Sequence, residues 1–259
     1  MSGATAGGRP RSGPAAVLRV ARTSTVDLIA RELRHAVYAG ALAVGQQLGE
    51  VEIAAQLGVS RSPLREAAQR LVAEGLLTSI PGRGLRVPRI GAEEIEDVYT
   101  ARLAVEAEAA RVVIARGDAE DLQRLDRAVE TLREASRGDS AREIGDADLA
   151  FHQLLTDLAG SPRLSYAMAN LAIQTRIASF SVPGGYSVPR TVSATYDQLL
   201  EALRDGDAER TAAVLRAQFS DAAARLRGDG ESVDTVGADQ DREPLRLRPI
   251  GDSEEPAGS

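Results

Sequence analysis

The sequence predicts a mainly α-helical protein in two parts: three helices closed by a β-hairpin, then an antiparallel bundle of six or seven helices. Three observations carry this. Apolar residues recur at helical spacing from Val26 to Leu226. A Pro-Gly-Arg-Gly turn at residues 81–84 lies between two short apolar runs, as in a hairpin. Beyond residue 91 the helical pattern is interrupted only by short breaks rich in Gly, Asp or Pro.

Val26, Ile29, Leu33, Ala36 and Val37 form the stripe of a first helix that Gly40 stops. A short second helix covers Glu50 to Leu57, with Val51, Ile53, Ala54 and Leu57 apolar. Gly58, Val59 and Ser60 lead into a third helix from Arg61 to Glu74, with a core stripe of Leu64, Ala67, Ala68, Leu71 and Val72. Ser60 is placed to cap it, since a serine oxygen accepts from a first-turn amide. Leu76 to Ile80 and Leu85 to Pro88 read as strands around the turn. Three helices with a short turn between the last two, then a hairpin, make a winged helix-turn-helix over residues 24–90. Residues 91–228 divide into helices at about 93–115, 119–135, 144–159, 163–180, 191–205 and 208–227, and a break near Thr100 would make seven. Residues 1–23 are expected to be a disordered basic arm and residues 229–259 a disordered acidic tail, because neither carries an apolar period.

Composition excludes much chemistry. There is no Cys, hence no disulfide and no thiolate site, and the two His, His35 and His152, rule out a multi-histidine centre. No apolar run approaches the ~20 residues of a spanning helix. The N-terminus, with Arg9 and Arg11, lacks the apolar core of a signal peptide, so a cytoplasmic protein is expected. All 31 basic residues are Arg. Residues 1–90 hold 12 Arg against six acids, whereas residues 91–259 hold 19 against 32. A basic front on a chain of net charge −7 points to an anionic partner for that part alone.

The third helix carries chemistry suited to DNA. Ser62, Arg65 and Gln69 lie opposite its apolar stripe, and Arg61 stands in its first turn. A recognition helix presents its N-terminal residues to base edges in the major groove. Arginine there donates two hydrogen bonds to guanine O6 and N7. Ser60 and Ser62 suit phosphate oxygens, and Arg83 and Arg86 on the hairpin could reach the backbone or the minor groove.

The stretch LRHAVYAGALAVGQQLGEVEIAAQLGVSRSPLREAAQRLVAEGLLTSIPGRGLRVPRI resembles the DNA-binding domain of the GntR family of bacterial transcription regulators. The resemblance implies base-reading roles for Arg61 and Arg65, with Ser60 and Ser62 at phosphates. A third arginine, present in some members on the preceding helix, falls on Val51 here.

In the bundle, Asp148 and His152 are spaced i, i+4 and project from one helix face. Tyr196 and Gln218 interrupt the apolar faces of the last two helices, which suggests either one shared polar pocket or separately satisfied groups. This half resembles the FCD effector-binding domain of the FadR subfamily and ends in ALRDGDAERTAAVLRAQF. Many such domains hold a divalent metal through Asp-x3-His and one His on each of the last two helices. Asp148 and His152 match the first pair, but the other positions carry Tyr196 and Gln218. No tightly bound metal is therefore expected; a weak divalent site completed by water is the alternative. Arg102 matches a family arginine that faces the effector and could pair with a ligand carboxylate; otherwise it forms a surface ion pair with Glu106.

These readings combine into an expected homodimeric, ligand-responsive repressor. It would bind a palindromic double-stranded DNA operator and be released by a small-molecule effector, carboxylate-bearing where Arg102 contacts it. The effector residues would be Arg102, Asp148, His152, Tyr196 and Gln218. Two alternatives are a DNA-binding regulator without an effector and a metal-dependent hydrolase using Asp148 and His152. No nucleophile–base constellation supports the latter, so no enzyme and no membrane partner are expected.

Overall fold

The computed structural model describes residues 24–182, 188–229, 235–236, 247 and 250. The expected basic arm, residues 1–23, lies outside the described residues. Helix α1 (Thr25–Tyr38) opens with a capping box, in which the Ser24 hydroxyl and the Asp27 carboxylate each accept from the other's backbone amide. After a short strand, β1 (Gln47–Leu48), come α2 (Glu50–Leu57) and α3 (Arg61–Ala73). Gly58 ends α2 in the left-handed conformation, and Val59 N–H returns to Ala54 O at 3.0 Å, which turns the chain sharply into α3.

The wing is β2 (Thr78–Ile80) and β3 (Gly84–Arg86), paired antiparallel with Ser79 opposite Leu85. Strand β1 pairs on the other side of β3, with Leu48 opposite Leu85, so three strands form where the sequence suggested two. Gly84 explains the close fit: its φ is +87°, and a Cβ there would lie 2.5 Å from Leu48 O. Leu48, Leu85 and Val87 then join Ile29, Leu33, Leu64 and Leu71 in one core. Val51 departs from the expected stripe. It sits at the second position of α2, turned to solvent and 66% exposed, while Ile53, Ala54 and Leu57 face inward.

The bundle consists of α4 (Ala92–Arg116), α5 (Ala119–Arg137), α6 (Ala141–Leu158), α7 (Pro162–Ser181), α8 (Ala194–Arg204) and α9 (Ala208–Arg227). The breaks before α5, α6, α7 and α9 carry caps, while the one read at residues 183–185 lies outside the described residues. Asp118, Ser140, Ser161 and Asp207 each accept a first-turn amide, a contribution of about 1 kcal/mol apiece. Helix α4 runs undivided past Thr100 and packs against α6, α7, α8 and α9, which makes it the bundle's axis.

Helix α7 also reaches the winged domain. Tyr166 Oη donates to the carboxylate of Glu74, just beyond α3, at 2.7 Å, Arg34 of α1 donates to the same carboxylate at 2.9 Å, and Gln174 Nε2 donates to the Glu74 main-chain carbonyl at 3.2 Å. The expected acidic tail, residues 229–259, lies outside the described residues except for Asp229, Thr235–Val236, Leu247 and Ile250. Thr235–Val236 (β5) pairs antiparallel with Val188–Pro189 (β4). Leu247 is buried beside Leu42, Leu48 and Ile53, and Ile250 N–H donates to Leu57 O at 2.9 Å. Val236 and Leu247 are buried although isolated apolar residues in a polar run show no period.

Candidate functional site

Ser60, Arg61, Ser62, Arg65 and Gln69 are all exposed along one side of α3, while Leu64, Ala67, Ala68 and Leu71 fill the other side. Ser60 occupies the cap position in extended conformation, but its side chain makes no capping hydrogen bond. The exposed start of α3 thus lacks a side-chain cap, a setting that suits an anion. Arg65 Nε donates to Glu50 Oε2 at 2.7 Å, which ties α2 to α3 across the turn. On the wing, Arg83 and Arg86 are exposed. The main chain of Arg83 closes the turn, N–H to Ile80 O at 2.9 Å, with Gly82 at φ +72°.

Inside the bundle, α4, α6 and α8 bring Arg102, Glu106, Asp148, His152 and Tyr196 into one hydrogen-bonded chain. Arg102 is 1% exposed and donates to Glu106 Oε1 at 3.0 Å. The expected pair forms, but in the core and not on the surface, because α4 is covered on this face by α9. The Arg102 guanidinium lies 4.5 Å from the Phe219 ring centre and 5.3 Å from that of Tyr99. Glu106 meets His152 Nδ1 through its other oxygen. The Tyr196 hydroxyl lies 2.9 Å from His152 Nε2 and 2.6 Å from Asp148 Oδ1. Burial alone would raise the Glu106 carboxyl, but His152 and Arg102 outweigh it and hold the group below its ordinary range. Burial, reinforced by Asp148, pushes the Tyr196 hydroxyl well above its ordinary range, so it keeps its proton.

This chain of contacts decides how the site suits a metal. The contacts Asp148–Tyr196, Tyr196–His152 and His152–Glu106 each need one proton. However the protons are distributed, both ring nitrogens of His152 are engaged and no lone pair is left for a cation. Tyr196 stands between the two residues that would be the first ligands. Gln218 is half-buried and donates to Thr195 Oγ1 at 3.0 Å instead of joining the chain. No cluster of three or more His, Cys, Asp or Glu suited to a metal occurs among the described residues. The donor set does not fit zinc or nickel.

The chain borders a cavity of about 160 Å3 between α4, α6, α7, α8 and α9. Of the predicted effector residues, Arg102, Asp148, His152, Tyr196 and Gln218 all line it. Among the described residues, the buried side-chain atoms without a hydrogen-bond partner are Arg102 Nη2, Arg176 Nε and Gln218 Oε1, and all three residues border this cavity. Arg176 was not singled out from sequence. Its signal is a charge between Ile173 and Ile177 on the buried face of α7.

Residues 25–87 match the family described as bacterial regulatory proteins, gntR family, and residues 97–221 match the FCD domain. An HTH-type transcriptional regulator of Agrobacterium vitis is 31% identical over 54% of the chain and 84% of its own length. A probable D-xylose utilization operon transcriptional repressor of Paenarthrobacter nicotinovorans is 28% identical over 74% of the chain and 84% of its own length. The uncharacterized HTH-type regulator YdhC of Bacillus subtilis is 31% identical over 51% of the chain, and the match spans only 60% of that relative. A solved GntR regulator of Rhodococcus sp. RHA1 superposes with a TM-score of 0.66 at 27% identity, covering 80% of the chain and 99% of its own. No helix among the described residues is long and apolar enough to cross a membrane.

Proposed function

Because the chain belongs to the GntR family of bacterial regulatory proteins and carries an FCD domain behind its winged helix, we propose that it is a ligand-responsive, homodimeric repressor. Arg61 and Arg65 read base edges, Gln69 adds a third polar side chain, and Ser60, Ser62, Arg83 and Arg86 hold the backbone. Two chains related by a twofold axis would set their α3 helices into successive major grooves, ~34–36 Å apart, over a palindrome. A small acidic effector enters the bundle cavity and shifts the chain toward an arrangement that binds DNA less well.

One observation carries the ligand response: a cavity in the bundle core leaves a buried N–H of Arg102 without a partner. An unmet donor in a buried site is costly, and an acceptor on a ligand would satisfy it. The same cavity weighs against a regulator with no effector, which needs no such space. The repressor reading draws on the name of the Paenarthrobacter relative.

The test is selection of duplexes from a random pool by the purified protein, followed by release measurements with small carboxylates. A palindrome recovered without ligand and lost with one supports the reading; binding unchanged by any carboxylate favours the effector-free regulator.

Two further outcomes follow. Metal analysis of purified protein is expected to find substoichiometric zinc and nickel, and a full equivalent resisting chelator would overturn a metal-free pocket. Val51→Arg, at an exposed position beside Glu50, is expected to tighten DNA binding. It should also steepen the salt dependence of log K by ~1 per added phosphate contact; an unchanged slope would place Val51 off the DNA surface.

A further inference from the structure

Arg176 stands where the cavity meets the DNA-binding half. It projects from the C-terminal half of α7 and is 6% exposed. One side of it borders the cavity, where its Nε has no partner. On the other side its guanidinium lies 4.9 Å from the ring centre of Tyr38, the last residue of α1, and Nη2 approaches the Tyr38 hydroxyl at 3.4 Å. Asp146 of α6 pairs with the same Nη2. Gly145 makes room for the group: a Cβ there would lie 2.8 Å from Arg176 Nη1. One buried cation thus touches α6, α1 and the cavity, and one of its donors is unmet.

We propose that Arg176 is the residue through which ligand in the cavity is communicated to α1. The inference rests on the effector reading above and adds a second contact on the cavity wall. An anion held by Arg102 and Arg176 Nε draws the Arg176 guanidinium inward. The long contact to Tyr38 is the weakest of its bonds and is given up first. Helix α1 packs on α3 and loses one of its ties to the bundle, so the recognition helices of a dimer are no longer held in one arrangement. Ligand and DNA are then coupled, because the ligand favours the state in which Arg176 has left Tyr38.

The experiment uses the full chain and a fixed panel of acetate, lactate, malonate, succinate, malate and citrate. Thermal shift and calorimetry are run on the unaltered protein, on Arg176→Gln and on Tyr38→Phe. For whichever anion binds the unaltered protein, Arg176→Gln is expected to lose at least ~10-fold in affinity, the effect of one charge-assisted contact. Tyr38→Phe is expected to bind the anion within ~3-fold of normal, yet to show a several-fold smaller change in DNA affinity on adding it. Binding undisturbed by Arg176→Gln, or full coupling in Tyr38→Phe, overturns the proposal while leaving the effector reading intact. Hydrogen exchange in α1 gives an arm without ligand: Arg176→Gln should speed exchange at the end of α1 near Tyr38. If no anion binds the unaltered protein, the effector reading fails, and unchanged exchange then overturns the Arg176 link on its own. Circular dichroism of both variants checks that they fold.

Discussion

Replacing Arg65 by alanine is expected to abolish specific DNA binding while the protein stays folded. Arg65 projects from the exposed side of α3, and its side chain is 53% exposed. Its partner in the DNA-free protein is Glu50, and an exposed pair of this kind contributes only about 0–1 kcal/mol to stability. A thermal melt should therefore move little. Binding should change far more, because an arginine bidentate to guanine discriminates by about 1–3 kcal/mol. Both protomers of a dimer lose the contact, so specific affinity should fall by roughly 10²–10⁴-fold, toward the sequence-independent level. Fluorescence anisotropy with the selected palindrome and a scrambled duplex, beside a melting curve, measures both effects. Retained preference for the palindrome would move base reading to another residue.

Glu106→Gln is expected to destabilise the bundle by about 3–5 kcal/mol, since it removes one partner from a buried set of charges. Glu106 is fully buried and accepts from Arg102 at 3.0 Å while meeting His152 on its other side. Glutamine keeps the shape but leaves the Arg102 guanidinium without its counter-charge. The pH dependence has a definite sign. The folded Glu106 is held below its ordinary range, so its stabilisation is present above the unfolded value of ~4.3. It is lost as pH falls through the depressed folded value, and Glu106→Gln should flatten that acid limb. Denaturant melts across acidic pH measure it. A variant as stable as the original would mean that Glu106 carries no buried charge.

The winged domain was largely legible in the sequence. Gly58, Gly75 and the Pro81-Gly82 turn mark ends that backbone geometry enforces locally, and the stripe from Leu64 to Leu71 shows which side of α3 is free. Asp148, His152, Tyr196 and Gln218 were legible as candidates because polar groups on apolar helix faces need partners. What stayed hidden was who partners whom. Glu106 reads from sequence as half of a surface pair, and Arg176 as one charge on a long helix; neither shows its neighbour from another helix.

Local pattern thus determined the elements and the exposed arginines of α3. Those are properties of residues within a turn or two of one another, where the 3.6-residue period and the capping rules apply. Only the tertiary structure decided that Tyr196 engages both Asp148 and His152, and that Arg102 is buried with Glu106. The same holds for Arg176, which joins the cavity to Tyr38 some 138 residues away. Such contacts depend on how α4, α6, α7 and α8 pack together, and packing across helices leaves no period in the sequence of any one of them.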